Sequence, residues 1–209
     1  LLGDSAYFAA MQYYCKKWAF KHPYEDDFTQ AIEDATGLEL DPFLDQWYHS
    51  RHRLDYALGG VSSSQESGAG EYTHTIELKR PGKFVAPVEI AVVWEQGDTS
   101  MYLVSPEGME YSRPGYRLLP AWHQFRRFSD KYQFTLRSER KIKKIVLDPE
   151  NISMDINRLN NATGWLPPIE LRFDNMKFDR TPVNKYALRL RPDFWYDTPN
   201  GFQIGAHSH

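Results

Sequence analysis

Cysteine is almost absent: Cys15 stands alone in 209 residues, so neither an internal disulfide nor a multi-cysteine metal site is available. No apolar run approaches the roughly 18 residues a membrane-spanning helix needs, and no basic stretch followed by an apolar one opens the chain as a secretory signal would. A surplus of one charge is missing too. The 25 Lys+Arg oppose 28 Asp+Glu, a net charge of −3, without the basic excess that general nucleic-acid binders use. The patterns G-x-S-x-G, G-x-G-x-x-G and G-x-x-x-x-G-K-[ST] do not occur, which leaves serine-hydrolase, dinucleotide and P-loop chemistry without support. What remains is a folding chain, 41% hydrophobic and 15% aromatic, well above the composition of a disordered one.

The first fifty residues carry helical signals. Phe8, Met11, Cys15 and Trp18 recur as one apolar stripe, with Asp4 or Ser5 placed to cap it and His22-Pro23 to end it. A second helix opens at the acidic Glu25-Asp26-Asp27, shows the stripe Phe28, Ile32, Ala35 and stops at Gly37. The third has Asp41 as expected N-cap and Pro42 at its first position, with Leu40, Phe43, Leu44 and Trp47 on one side. After Arg53 the period becomes two. Tyr72, His74, Ile76 and Leu78 form one strand row, and Val88, Ile90, Val92 and Trp94 a second. Met101 with Leu103 makes a third row beyond the turn Gln96-Gly97-Asp98, Tyr132, Phe134 and Leu136 a fourth, and Ile142 to Leu147 a last short strand. Ser62 to Gly70 reads as a Ser/Gly-rich loop, and Trp165-Leu166-Pro167-Pro168 as a stiff linker. Lys185 to Arg191 and Phe202 to Ala206 read as strands about the turn Asp197 to Gly201, too few for a core of their own.

The expected fold class is therefore an α+β multidomain fragment. Residues 1–53 form a helical segment, 54–162 an antiparallel β-sandwich, and 163–209 a linker and the start of a β-rich region. Leu1 in place of Met and a last strand running to His209 suggest a piece of a longer protein.

Candidate reactive groups are few. His49 and His52 have a spacing that can serve a metal, but two histidines at a helix end are explained by the helix dipole. His207 and His209 alternate along a strand, and would need further ligands from elsewhere. Cys15 reads as a small buried hydrophobe, Asp26-Asp27 and Glu33-Asp34 as caps and solvated faces. Arg126-Arg127 with Lys141, Lys143 and Lys144 reads as a charged sheet edge. Trp94, Trp122, Tyr111 and Tyr116, exposed together, would stack on sugars or peptide side chains, but most are expected in the core, where buried aromatics dominate the energetics of a small sandwich.

One series matches a known pattern. Leu2-Gly3-Asp4, Phe8, Met11, Tyr14, Asp27-Phe28, Glu33, Gly37, Leu40, Phe43 and Gln46-Trp47 resemble the last helices of the catalytic domain in M1-family zinc aminopeptidases, the gluzincins related to aminopeptidase N. In that family a β-sandwich follows and ends near a Val-x-Leu-Asp-Pro strand, and Ile145-Val146-Leu147-Asp148-Pro149 has that place here. The resemblance implies a parent protein that holds zinc and hydrolyses peptides near their N-terminus by a metal-bound water. The HExxH helix that supplies two zinc ligands and a general base does not occur in these residues, so no catalytic or metal residue carries over and zinc belongs to the parent's preceding domain. The expected partner is the remainder of the same polypeptide, with a peptide substrate in the parent. The strand-like tail favours the cell envelope or periplasm. A glycan- or protein-binding sandwich, or a scaffold from an inactive peptidase homologue, is the alternative.

Overall fold

The acidic starts, the glycine stop and the proline start divide the opening residues into three helices. In the computed structural model these are α1 at Asp4–Trp18, α2 at Glu25–Thr36 and α3 at Asp41–His49. The structure describes residues 2–65, 70–109, 111–123, 130–164, 169–173 and 184–208. The caps differ from expectation at two places. Gly3, with φ at 72°, precedes α1, and neither Asp4 nor Ser5 bonds its free N–H groups through a side chain. Glu33 takes the role expected of Asp41: its carboxylate accepts the N–H of Leu40 at 2.6 Å and of Asp41 at 3.2 Å. Gly37 does end α2, in the left-handed conformation that glycine adopts without steric cost.

The apolar stripe of α1 is rotated from the expected one. Phe8 and Cys15 are exposed, while Ala10 is fully buried and Met11, Tyr14 and Trp18 are half-buried. The small Ala10 face lets Ile32 and Leu40 pack close to α1, with Met11 and Phe28 beside them. On α2 the buried pair is Ala31 and Ile32, and Ala35 faces outward. α3 does not present one apolar side either. Leu40 and Leu44 join the helical cluster, whereas Phe43 packs against the core of the sheets.

Among the described residues seven strands follow: β1 Ala57–Gln65, β2 Tyr72–Lys79, β3 Val88–Trp94, β4 Thr99–Val104, β5 Arg117–Leu118, β6 Lys131–Ser138 and β7 Ile142–Leu147. They form a three-stranded antiparallel sheet in the order β1-β2-β6 and a four-stranded sheet in the order β5-β4-β3-β7. The short β5 runs parallel to β4, so the second sheet is mixed. The alternating rows of β2, β3 and β6 are buried as their period demands. Ile76, Leu78, Ile90, Val92, Phe134 and Leu147 belong to one core cluster drawn from both sheets. In β4 the residues in that cluster are Tyr102 and Val104 rather than Met101, although Leu103 is also buried.

Ser62 to Gln65, expected in a loop, lie in β1, paired with Thr75, His74, Thr73 and Tyr72. Cross-strand pairing supplies what composition does not: the Ser63 hydroxyl lies 2.7 Å from Nδ1 of the fully buried His74, whose Nε2 lies 2.8 Å from the Arg140 carbonyl. Lys143 and Lys144 sit exposed on β7, the edge strand, as the edge reading expects. Ala162 bridges to Val146, and Thr163 exchanges bonds with Ile145, covering part of that edge. Arg126-Arg127 and the Trp165 to Pro168 linker lie outside the described residues.

The tail contributes β8 Ile169–Phe173, β9 Tyr186–Asp197 and β10 Gly201–Ser208, ordered β10-β9-β8. β9 and β10 are an antiparallel hairpin, and β8 runs parallel to β9. None of their described residues enters either core cluster. No helix of the described residues is long and apolar enough to cross a membrane.

The rotated helix face makes a contrast that urea denaturation checks. Ile76→Ala, in the core, should cost about 2–5 kcal/mol, while Phe8→Ala in this chain should change stability by less than about 0.5 kcal/mol. Comparable losses for both would contradict the packing of α1.

Candidate functional site

A cavity of about 540 Å³ lies where α3 meets the sheets. The joint is built from the sequence Phe43-x-x-Gln46-Trp47. Phe43 and Trp47 each meet the Phe84 ring edge-on, at 5.5 and 6.0 Å between centroids. Between them, the Gln46 amide brackets one residue of the β-rich part: its oxygen accepts the Val85 N–H at 2.9 Å and its nitrogen reaches the Val85 carbonyl at 3.4 Å. The cavity floor is Leu54, Tyr56, Phe84 and Leu147, and its rim carries the exposed Trp47, Tyr48, Ile152, Met154 and Ile156.

The carboxylates of the wall are already occupied. Asp148 accepts the N–H groups of Ile152 and Ser153 and the Ser153 hydroxyl, and thereby shapes the rim loop. The buried Asp155 accepts from the N–H of Tyr56 and Asn157 and from the Asn161 amide. Asn161 Oδ1 is a buried acceptor with no hydrogen-bond partner among the described residues. The walls are therefore apolar with fixed acceptors, suited to holding an apolar side chain rather than to moving a proton.

A second polar cluster lies beside the cavity. Arg113 donates to both oxygens of Glu89 at 2.9 and 2.8 Å and to Glu150 at 2.8 Å, while the Tyr116 hydroxyl donates to Glu89 at 2.9 Å. Glu150 and then Glu89 hold the Arg113 guanidinium above its usual range, and burial followed by the Glu89 bond raises Tyr116. With Glu89 satisfied by these donors, the cluster ties residues 111–116 to β3 and offers no free base.

The residues singled out by sequence disperse. His49 pairs with Glu25 at 3.1 Å between α3 and α2, and His52 lies exposed at the rim. His209 and the side chain of His207 lie outside the described residues. Cys15 is an exposed thiol on α1 rather than a core hydrophobe. Asp27 accepts the Tyr24 N–H and Asp34 pairs with Lys17 at 2.7 Å, both helix-surface roles. Asp26 is exposed. Lys141 is exposed and stands 5.5 Å from the Tyr72 ring. Trp94 and Trp122 are core residues, 2% and 1% exposed, and Tyr111 and Tyr116 are half-buried with hydroxyls on Glu89, so the four present no common stacking face. The cavity rim escaped sequence reading, although Ile152-x-Met154-x-Ile156 alternates after the last strand. Among the described residues no three His, Cys, Asp or Glu side chains gather as a metal site. No protein-family model and no curated protein matches this sequence.

Two outcomes follow. Gln46→Ala leaves both polar groups of Val85 without their partner and should cost about 1–3 kcal/mol in urea denaturation; no loss would remove the joint from the energetics. Burial pushes the Tyr132 hydroxyl, which donates to the Pro120 carbonyl, up to about 12. Its neutral form is favoured by folding, so this stability is complete below the unfolded value near 10 and is lost as pH rises from there through about 12. Alkaline titration of stability should show that decline, shallower in Tyr132→Phe; an unchanged slope in that variant would contradict the assignment.

Proposed function

We propose that this chain is the C-terminal, noncatalytic portion of a zinc-dependent M1-like aminopeptidase, in which α1–α3 close the helical catalytic domain and the two central sheets pack as a β-sandwich that braces it. The observation that carries the reading is what the resembling residues do. Glu33 caps α3, Gly37 turns the chain between helices, Leu40 seals the helical cluster, and Phe43, Gln46 and Trp47 fasten α3 to the sheets. These residues are thus those of a joint, not of a reaction centre. Uncovered Tyr7 and Phe8 on α1, and the apolar rim of Trp47, Tyr48 and Met154, supply surfaces on which the remainder of the polypeptide would rest.

Zinc fits no group of side chains among the described residues, and no catalytic step is assigned to them. The parent's preceding domain would hold the metal and the peptide, and this portion would keep that domain's last helices in register and shape access to it.

Two measurements test the reading. The coding sequence upstream of Leu1 should encode an HExxH helix; its absence would overturn the assignment. The isolated chain given zinc and an aminoacyl anilide should show no hydrolysis above buffer, and chelator-sensitive turnover would overturn its noncatalytic role.

A further inference from the structure

The tail sheet is inside out relative to the rest of the molecule. Along β9, Tyr186, Leu188, Leu190, Pro192, Phe194 and Tyr196 share one face, because side chains alternate with period two. The registers extend that face on both sides: Ile169, Leu171 and Phe173 of β8 lie opposite Tyr186, Leu188 and Leu190, and Phe202 and Ile204 of β10 opposite Tyr196 and Phe194. No charged residue interrupts it. Except for the half-buried Leu190, its large side chains on β9 and β10 are open to the surroundings, Phe194 at 61% and Ile204 at 71%.

The other face carries the charges, and there they are paired and half-covered. Arg172 bonds Glu170 at 2.9 Å, Lys185 pairs with the same carboxylate, Arg191 bonds Asp193 at 3.2 Å, and Gln203 donates to Asp197 at 3.1 Å. The Trp195 ring lies over Gly205, where a Cβ would come within 2.8 Å of it. In water this arrangement is unfavourable, since large apolar side chains are wet while ion pairs are sheltered. Against hydrocarbon it is the favoured one.

We propose that the β9–β10 hairpin is a lipid-facing part of a transmembrane β-barrel wall, its apolar face against acyl chains and its charged face toward the lumen. The dimensions agree. From Tyr186 to Tyr196 the strand rises about 33 Å at 3.3 Å per residue, which a tilt of about 40° reduces to about 25 Å, the height of the apolar band of such barrels. Tyrosine stands at each end of the row, with Leu188, Leu190, Pro192 and Phe194 between, the placement of interfacial aromatic girdles. A protein partner would need no such aromatic-aliphatic-aromatic order along the strand. The parallel β8 is left out of the spanning unit, because these walls are antiparallel. Hydrocarbon tolerates no open sheet edge, so the wall requires further antiparallel strands both beside β10 and on the side of β9 where β8 pairs in this structure. The proposal does not depend on the peptidase reading, and extends the function to anchoring in a membrane.

The test uses the polypeptide encoded by the complete gene, with Cys15 and any other cysteine replaced by serine, folded into dilauroylphosphatidylcholine vesicles containing acyl-chain nitroxide lipid. Single cysteines at Leu188, Phe194 and Ile204, and at Arg189, Asp193 and Gln203, carry an environment-sensitive fluorophore. Blue-shifted emission and nitroxide quenching at the first three, and neither at the second three, is the expected result. Equal quenching on both faces would overturn the proposal. So would blue-shifted labels on the apolar face without nitroxide quenching, which would assign that face to a protein partner or a second copy. The unsubstituted polypeptide should float with vesicles after an alkaline carbonate wash; recovery in the soluble fraction would overturn the proposal without reliance on any variant.

Discussion

The side-chain amide of Gln46 holds the architecture together, because it joins elements that would otherwise have little reason to stay fixed. A helix of nine residues is marginal by itself and takes its stability from what it packs on. α3 faces two cores at once, Leu40 and Leu44 toward the helices and Phe43 and Trp47 toward Phe84. The two bonds between Gln46 and Val85 set the height and rotation at which those aromatics dock. Glu33 does the same at the other end, since its backbone carbonyl accepts the Gly37 N–H that finishes α2 and its carboxylate starts α3. The cavity is a consequence: a short helix held at two points spans the sheets without filling the space between Leu54, Tyr56 and Leu147.

The same period of two has opposite meanings in β2 and β9. In β2 the apolar row of Ile76 and Leu78 is fully buried and the polar row of Thr75 and Glu77 is more open. In β9 the apolar row is the exposed one, and the charges of the other face are paired. Alternation states only that the two faces differ; the surrounding medium decides which face is inner. A core residue such as Ile76 answers to water, and Phe194 answers to whatever covers it. That difference separates the bracing role proposed for the sheets from the anchoring role proposed for the hairpin.

Much of the fold was legible. β2, β3, β6 and β7, the three helices and the turn after Trp94 follow from local period and breakers, which act over neighbouring residues. What was not legible depends on partners far along the chain. Ser62 to Gln65 have loop composition, and only pairing with Tyr72 to Thr75 makes them strand. Cys15 and Phe8 fit an apolar stripe, but the close approach of α2 selects the Ala10 face instead. Asp41 is a good N-cap in isolation, and Glu33 reaches its place from eight residues away. At the candidate site Trp94 and Trp122 are core, as expected of most of the four aromatics, although no local signal tells which of the four is core until their neighbours are known. The joint residues were legible only as a pattern, without the bonds that give Gln46 its role.

Amide hydrogen exchange at Val85 tests most directly whether the helices and sheets are one mechanical unit. If Gln46 clamps them together, the Val85 N–H exchanges only with the global opening that also releases Ile90 in the centre of β3. Exchange at Val85 by local opening, while Ile90 stays protected, would show a helical segment that rests on the sheets without being fixed to them, and would contradict the account.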